Sequence, residues 1–119
     1  MLITGGTSGI GRATAVAFAE QGAKVVIAGR RETEGAESVA LEFAAKGVRV
    51  NAVCPAIIET DMTARIRGND HTRSYLLERH PIGRFGQPEE VAAAVLYLCS
   101  PGAAFVTGVA LPLDGGFAA

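Results

Sequence analysis

A glycine-rich segment near the start of the chain is the first feature whose residue types and spacing could do chemistry. The segment TGGTSGIG, residues 4–11, follows a short apolar stretch and precedes an apolar pattern at helical spacing. Gly5 permits a tight turn off a strand, Gly9 lets a diphosphate approach the backbone, and Gly11 lets the helix lie close to the sheet. The start of the helix offers free N–H groups and a positive dipole end to phosphate oxygens.

This loop predicts nucleotide binding, and the alternative is an ordinary glycine-rich turn. The residues expected to bind the nucleotide are Gly5, Thr7, Ser8, Gly9, Ile10 and Gly11.

Alternating strands and helices must position this loop. Predicted strands cover Met1–Ile3, Lys24–Ala28, Val48–Val53 and Val109–Leu113, and predicted helices cover Ile10–Gln21, Glu37–Ala45 and Pro88–Leu98. Residues 56–86 are expected to be polar, irregular and mobile, with a helical patch near Thr72–Arg79. The alternation predicts an α/β fold: one shortened Rossmann-like domain over residues 1–119, with a mostly parallel sheet of about four strands, helices on both faces and right-handed crossovers.

Several segments resemble the short-chain dehydrogenase/reductase family. They are the loop at residues 4–11, RVNAVCP at 49–55, PAIIET at 55–60 with Ala56 where that family usually has glycine, GRFGQPEEVA at 83–92, and Thr107–Gly108 with Asp114–Gly116. The resemblance implies an oxidoreductase whose complete form transfers a hydride between a nicotinamide cofactor and an alcohol or ketone. It also implies that Pro55, Ile58 and Thr60 line the nicotinamide and diphosphate end of the cofactor. The alternative is a plain strand exit and loop.

Two adjacent arginines bear on which nicotinamide cofactor is used. An acidic residue at the end of the second strand would accept hydrogen bonds from the ribose 2′-OH of NAD, but this position is Gly29, and Arg30 and Arg31 follow it. Arginine binds phosphate through two parallel hydrogen bonds, whereas a carboxylate repels it. The pair therefore favours NADP(H) over NAD, unless both arginines are solvated loop charges.

The catalytic pair of that family, Tyr-x-x-x-Lys on one helix face, is missing from this chain. Four residues before Lys24 and Lys46 stand Glu20 and Glu42, and four residues after Tyr75 and Tyr97 stand Arg79 and Pro101. We assign no catalytic residue and expect no hydride transfer from this chain alone.

The resemblance implies that the family's third to fifth strands are missing as one block, with the join near residue 37. An internal deletion, a fragmentary sequence and a deliberately shortened protein would each give this pattern. Without that block, strand Val48–Val53 must find a new neighbour or leave an edge open to another chain.

Composition excludes several other classes of function. The net charge is −1 and the arginines are dispersed, so we expect no nucleic-acid partner. No apolar run reaches the roughly 20 residues of a membrane span, and no signal peptide is evident, so we expect no membrane partner and a cytoplasmic location. Cys54 and Cys99 form no C-x-x-C pair, and His71 and His80 are expected to be solvated, so no metal site is predicted.

The sequence is also compatible with two other hypotheses about function. The chain could be a non-catalytic nucleotide-binding module. It could also be a structural or interaction fragment, a homo-oligomer formed through the helix at 88–98 and the strand at 109–113.

Overall fold

The computed structural model describes residues 2–4, 9–22, 25–28 and 33–119. The strands are β1 (Leu2–Thr4), β2 (Val25–Ala28), β3 (Val50–Pro55) and β4 (Ala110–Leu113), and the helices are α1 (Gly9–Glu20), α2 (Thr33–Ala44), α3 (Asp61–Arg67), α4 (Asp70–Glu78) and α5 (Pro88–Cys99). One turn of 3₁₀ helix, Pro101–Ala103, follows α5. The α/β fold and the extents of its predicted strands and long helices are confirmed to within a few residues.

The four strands form one sheet in the order β1-β2-β3-β4, and every neighbouring pair is parallel. In the register between β2 and β3, Val25 stands beside Val50 and Ala28 beside Val53. Strand β3 has therefore found a new neighbour in β2, and the chain forms a continuous β-α-β-α-β unit. The gap that the sequence left open beside this strand is filled.

Both faces of the sheet are covered, because side chains on β3 alternate between them. Val50 belongs to a buried cluster with Val25 of β2 and with Val39 and Phe43 of α2. Val53 points to the opposite face and packs with Leu98 of α5. Val50 and Val53 are both 0% exposed, as a strand buried on two faces requires. The prediction of helices on both faces is confirmed.

The connection from β3 to β4 has a different hand from the two connections before it. All three connections move in the same direction across the sheet. Helices α1 and α2 share a core cluster on one face, whereas α5 lies on the other. Connections in one direction whose helices lie on opposite faces have opposite hands. Almost all connections between parallel strands are right-handed, so the two through α1 and α2 are assigned that hand. The connection through α5 is then left-handed. The expectation of right-handed crossovers throughout is wrong for this connection.

The segment from 56 to 86 is more regular than the sequence predicted. The predicted helical patch near Thr72–Arg79 is α4, and α3 is a second helix where irregular chain was expected. Neither helix has a buried residue, so neither shows the apolar periodicity by which a helix is recognised. Helix α4 is fixed at its start by Asn69, whose side-chain oxygen accepts the Thr72 N–H at 2.9 Å.

The two cysteines are both free thiols. Cys54 lies on the α2 side of β3, in alternation with Val53, while Cys99 packs against the cluster around Leu98 on the α5 side. The sheet separates them, so a disulfide between them would require the fold to open. Burial raises the pKa of the Cys54 thiol, which keeps it protonated and a weak nucleophile at neutral pH.

Candidate functional site at the carboxyl edge of the sheet

The carboxyl ends of all four strands lie at one edge, because the sheet is parallel throughout. The ends of β1, β2 and β3 therefore all lie at this edge. Gly9, Ile10 and Gly11 form the first turn of α1, as expected of a glycine loop that opens a helix. The other predicted residues of the loop and of the arginine pair, Gly5, Thr7, Ser8, Arg30 and Arg31, lie outside the described residues.

A crevice is expected between the ends of β2 and β3. The chain leaves β2 toward α2 on one face, and it leaves β3 toward the segment that leads to α5 on the other face. Ligands of open α/β sheets bind where neighbouring strands send their connections to opposite faces. The left-handed connection thus creates such a point although the strand order never reverses.

The segment after β3 carries the three other predicted binding residues. Pro55 ends the strand beside Leu113, and Ile58 forms an isolated parallel bridge with Gly86. Two backbone bonds hold this bridge: Gly86 N–H donates to Ile57 O at 3.0 Å, and Glu59 N–H donates to Gly86 O at 2.9 Å. A Cβ on residue 86 would lie 2.5 Å from Ile58 Cδ1, so a larger residue there would displace the Ile58 side chain.

Thr60 begins α3 and is exposed. Its N–H donates to Thr63 Oγ1 at 3.0 Å, and the Thr63 hydroxyl donates to Ile58 O at 2.5 Å. These bonds fix the turn between Ile58 and α3. The Thr60 hydroxyl lies 3.4 Å from Thr63 Oγ1 and remains accessible from solvent, as contact with a ligand would require. Pro55, Ile58 and Thr60 thus lie along the segment that runs from the end of β3 to the start of α3.

An ion pair closes the loop before α5. Arg84 donates from both terminal nitrogens to the Glu90 carboxylate, at 2.8 and 2.6 Å. Glu90 also accepts the Gln87 N–H at 2.8 Å, which completes a capping box at the start of α5. The Arg84 hydrogen bonds and then the Gln87 N–H lower the pKa of Glu90 to about 2, and the same pair raises the pKa of Arg84.

His80 is buried, so the expectation that it is solvated is wrong. It is 3% exposed, and its Nδ1–H donates to Leu76 O at 2.7 Å. Its ring meets Phe85 edge-on at 5.6 Å between centroids and lies 5.1 Å from the ring of Phe117. Its sequence neighbours gave no signal of this burial, because Phe117 comes from the far end of the chain.

A cavity of about 210 Å³ lies beside His80, on the α5 side of the sheet edge. Its apolar wall includes Ile57, Ile82, Val91 and Leu113, and its polar wall includes His80, Arg84, Glu90 and Asp114. Ile58 and Gly86 also line it, so the cavity adjoins the segment predicted to hold the nicotinamide end of a cofactor.

The described part of the chain was searched for clusters of metal ligands and for membrane-spanning helices. It holds no group of three or more His, Cys, Asp or Glu side chains that could bind a metal ion. Among the same residues, no helix has both the length and the apolarity to cross a bilayer.

Tyr75 and Arg79 interact on α4, with the guanidinium carbon 4.8 Å from the ring centroid.

Two family models match the chain, and together they span nearly all of it. The model described as short chain dehydrogenase matches residues 1–40. The model described as enoyl-(acyl carrier protein) reductase matches residues 34–118.

Curated relatives match over about two thirds of the chain. A galactitol 2-dehydrogenase (L-tagatose-forming) of Cereibacter sphaeroides is 45% identical over 80 residues, which cover 67% of this chain and 32% of that protein. A 3-oxoacyl-(acyl-carrier-protein) reductase of Vibrio harveyi is 49% identical over 80 residues, with the same coverage of 67% and 32%. The chain thus spans about a third of the length of the curated relatives it matches.

Solved structures share the fold. A candidate 2-deoxy-d-gluconate 3-dehydrogenase from Agrobacterium tumefaciens, solved with bound NADP, is 29% identical with a TM-score of 0.77. The match covers 90% of this chain and 52% of that one. From the motifs, the parallel sheet and these matches, it follows that the chain belongs to the short-chain dehydrogenase/reductase family of oxidoreductases.

Proposed function

We propose that this chain is a nicotinamide dinucleotide-binding part of a short-chain dehydrogenase/reductase, with NADP(H) as its ligand. The observation that carries the proposal is the parallel sheet, because it puts the carboxyl ends of β1, β2 and β3 at one edge. In the sequence, the glycine loop, the arginine pair and the run from Pro55 to Thr60 follow these three strands. The NADP bound to the Agrobacterium relative supports the same ligand class.

Arg30 and Arg31 are proposed to select NADP(H) by binding the 2′-phosphate. Replacing both with alanine removes charge-assisted hydrogen bonds, so NADPH affinity is expected to fall about 10- to 100-fold while NADH affinity changes little. Arg73→Ala, at an exposed position on α4, is the matched control for loss of positive charge. Equal losses for both cofactors would contradict this assignment of the arginines.

The complete parent enzyme is proposed to transfer a hydride between NADP(H) and an alcohol or ketone, whereas this chain alone does not. The chain holds no Tyr-x-x-x-Lys pair to supply the proton and position the ribose. The two family matches meet at residues 34–40, which supports an internal deletion near residue 37. NADPH oxidation measured with a panel of ketones should equal the protein-free rate, and measurable turnover would contradict the proposal.

A homo-oligomer is the second proposal, supported by apolar side chains that α5 leaves exposed. Leu96 is 71% exposed and Tyr97 is 50% exposed, which is costly for a free surface. The occupant proposed is a second copy of this chain, meeting α5 and the β4 edge. Light scattering across a range of concentrations should give twice the monomer mass, and Leu96→Glu should return the monomer. A constant monomer mass would contradict it. The free cysteines accord with the cytoplasmic location that we infer.

A further inference from the structure

The hydroxyl of Thr63 connects two parts of the segment between β3 and α3. Its oxygen accepts the Thr60 N–H at 3.0 Å, and it lies 2.5 Å from Ile58 O and 3.0 Å from Thr60 O. A hydroxyl carries one proton, so it donates to only one of these two carbonyls. The carbonyl of Thr60 already accepts two other donors, the Thr63 N–H and Arg67 Nη2, each at 3.1 Å. The proton of the Thr63 hydroxyl is therefore assigned to Ile58 O.

Both backbone polar groups of Thr60 are held by these bonds. The Thr63 side chain holds the N–H, and the Thr63 N–H and Arg67 hold the carbonyl. The backbone of Thr60 is extended, with φ of −139° and ψ of 170°. Because the peptide groups on both sides are fixed, the Thr60 hydroxyl has only the few positions that the staggered rotamers of its side chain allow.

The Thr60 hydroxyl has a single and distant hydrogen-bond partner among the described residues. Its oxygen lies 3.4 Å from Thr63 Oγ1, beyond the roughly 2.5–3.0 Å of an ordinary O–H···O bond. Thr60 is exposed, whereas Thr63 is partly buried. An exposed hydroxyl that is held in place, and whose proton is not committed within the chain, is preorganised to donate to an oxygen atom of a ligand.

We propose that Thr63 is a positioning residue for binding of the nicotinamide dinucleotide. Its hydroxyl orients Thr60, and the Thr60 O–H donates to an oxygen atom of the cofactor. This proposal rests on the proposed function, in which Thr60 lies at the nicotinamide and diphosphate end. That end is the same in NADPH and NADH, so loss of the Thr63 hydroxyl should weaken binding of both alike, unlike loss of the arginine pair.

Three single variants test whether the hydroxyl of Thr63 matters, with fluorescence titration by NADPH as the measurement. Thr63→Val keeps the shape of the side chain but removes the hydroxyl, and should weaken binding roughly three- to tenfold. Thr63→Ser keeps the hydroxyl and should bind within about twofold of the parent chain. Thr72→Val is the matched control, because the Thr72 side chain is also partly buried and makes no hydrogen bond among the described residues.

A double variant separates positioning from a general structural role. Thr60→Val should weaken NADPH binding at least as much as Thr63→Val does. The variant with both substitutions should bind no more weakly than Thr60→Val alone, because Thr63 acts only through Thr60. Additive losses would overturn the proposal, and so would a Thr63→Ser variant that binds as weakly as Thr63→Val.

The parent chain distinguishes failure of this proposal from failure of the proposed function. A folded parent chain that does not bind NADPH contradicts both, whereas binding that Thr63→Val leaves unchanged overturns this proposal alone. If Thr63→Val does not fold, NMR of the parent chain with labelled threonine methyl groups decides instead. Saturating NADPH should shift the Thr60 signal and leave the Thr72 signal in place, and an unmoved Thr60 signal would overturn the proposal.

Discussion

The side-chain amide of Asn51 makes two hydrogen bonds to the backbone around Val109, as a peptide group of a neighbouring strand would. Its Oδ1 accepts the Val109 N–H at 3.1 Å, and its Nδ2 donates to Val106 O at 3.0 Å. Asn51 is 1% exposed and sits in β3, so these two bonds attach the start of β4 to the centre of the sheet. A polar residue occupies this buried strand position because its side chain hydrogen-bonds the backbone N–H of Val109 and the backbone carbonyl of Val106.

Asn51→Leu should destabilise the protein by roughly 1–3 kcal/mol, because it leaves the Val109 N–H without its partner in a part-buried place. Urea unfolding followed by circular dichroism measures the change. Ser74→Ala, on the exposed face of α4, serves as control and should stay within about 0.5 kcal/mol of the parent. A loss no larger than that of the control would show that the two hydrogen bonds contribute little.

Arg49 is expected to hold the end of α5 to the sheet. Its Nη2 donates to Leu98 O at 2.8 Å, and its Nη1 donates to Val106 O at 3.1 Å. Arg49→Met keeps the apolar stem but removes both bonds, and should cost roughly 1–3 kcal/mol. Amide hydrogen exchange should rise in the last turn of α5 and around Val106. Arg49→Lys should restore little, because an ammonium cannot present two donors in a fork.

The Arg84–Glu90 pair should make stability depend on pH in acid. The pKa of Glu90 is lowered to about 2 from an ordinary value of 4.5, so its contribution is complete above pH 4.5 and is lost as pH falls toward 2. Glu90→Gln should remove this part of the acid dependence, and added salt should reduce it, since both side chains are about half exposed. The measurement is urea unfolding from pH 7 to pH 2. Parallel pH profiles for the two proteins would contradict the assignment.

Alanine substitutions at Gly115 and at Gly83 should distinguish the cost of a steric clash from the cost of backbone strain. Both have positive φ, of 58° and 80°, but a Cβ on Gly115 would lie 2.5 Å from Ile82 Cγ2, whereas one on Gly83 meets nothing within 4 Å. Gly83→Ala should cost only the left-handed backbone penalty, about 1–2 kcal/mol. Gly115→Ala should cost at least 1 kcal/mol more, from overpacking. Equal losses in thermal or urea unfolding would mean that Ile82 moves away freely.

The sequence predicted the elements better than their arrangement. Apolar runs such as KVVIA and the periodic helix after Pro88 carry their own signals, and both are found. The pairing of β3 with β2 depends on which neighbours remain, so the local pattern left it open. Helix α4 was predicted as the helical patch near Thr72–Arg79, whereas α3, which buries no residue, was missed. Their signals were the caps, Thr60 with Thr63 and Asn69 with Thr72.

The candidate site was predicted in part, for a similar reason. Pro55 ends β3, and Ile58 and Thr60 follow it, so the segment that carries them could be predicted from the sequence. The burial of His80 depends on Phe85 and on Phe117, which is distant in sequence, and no local pattern reports such a contact. The left-handed connection opposes a strong general preference, so only the three-dimensional structure reveals it.

The central claim is that the shortened sheet still forms a site for NADP(H), and a fluorescence titration of the purified chain with NADPH and with NADH tests it most directly. We expect saturable binding of both, with NADPH the tighter ligand. No saturable binding to a protein shown by circular dichroism to be folded would contradict it. The chain would then keep the fold of an oxidoreductase without its cofactor cleft.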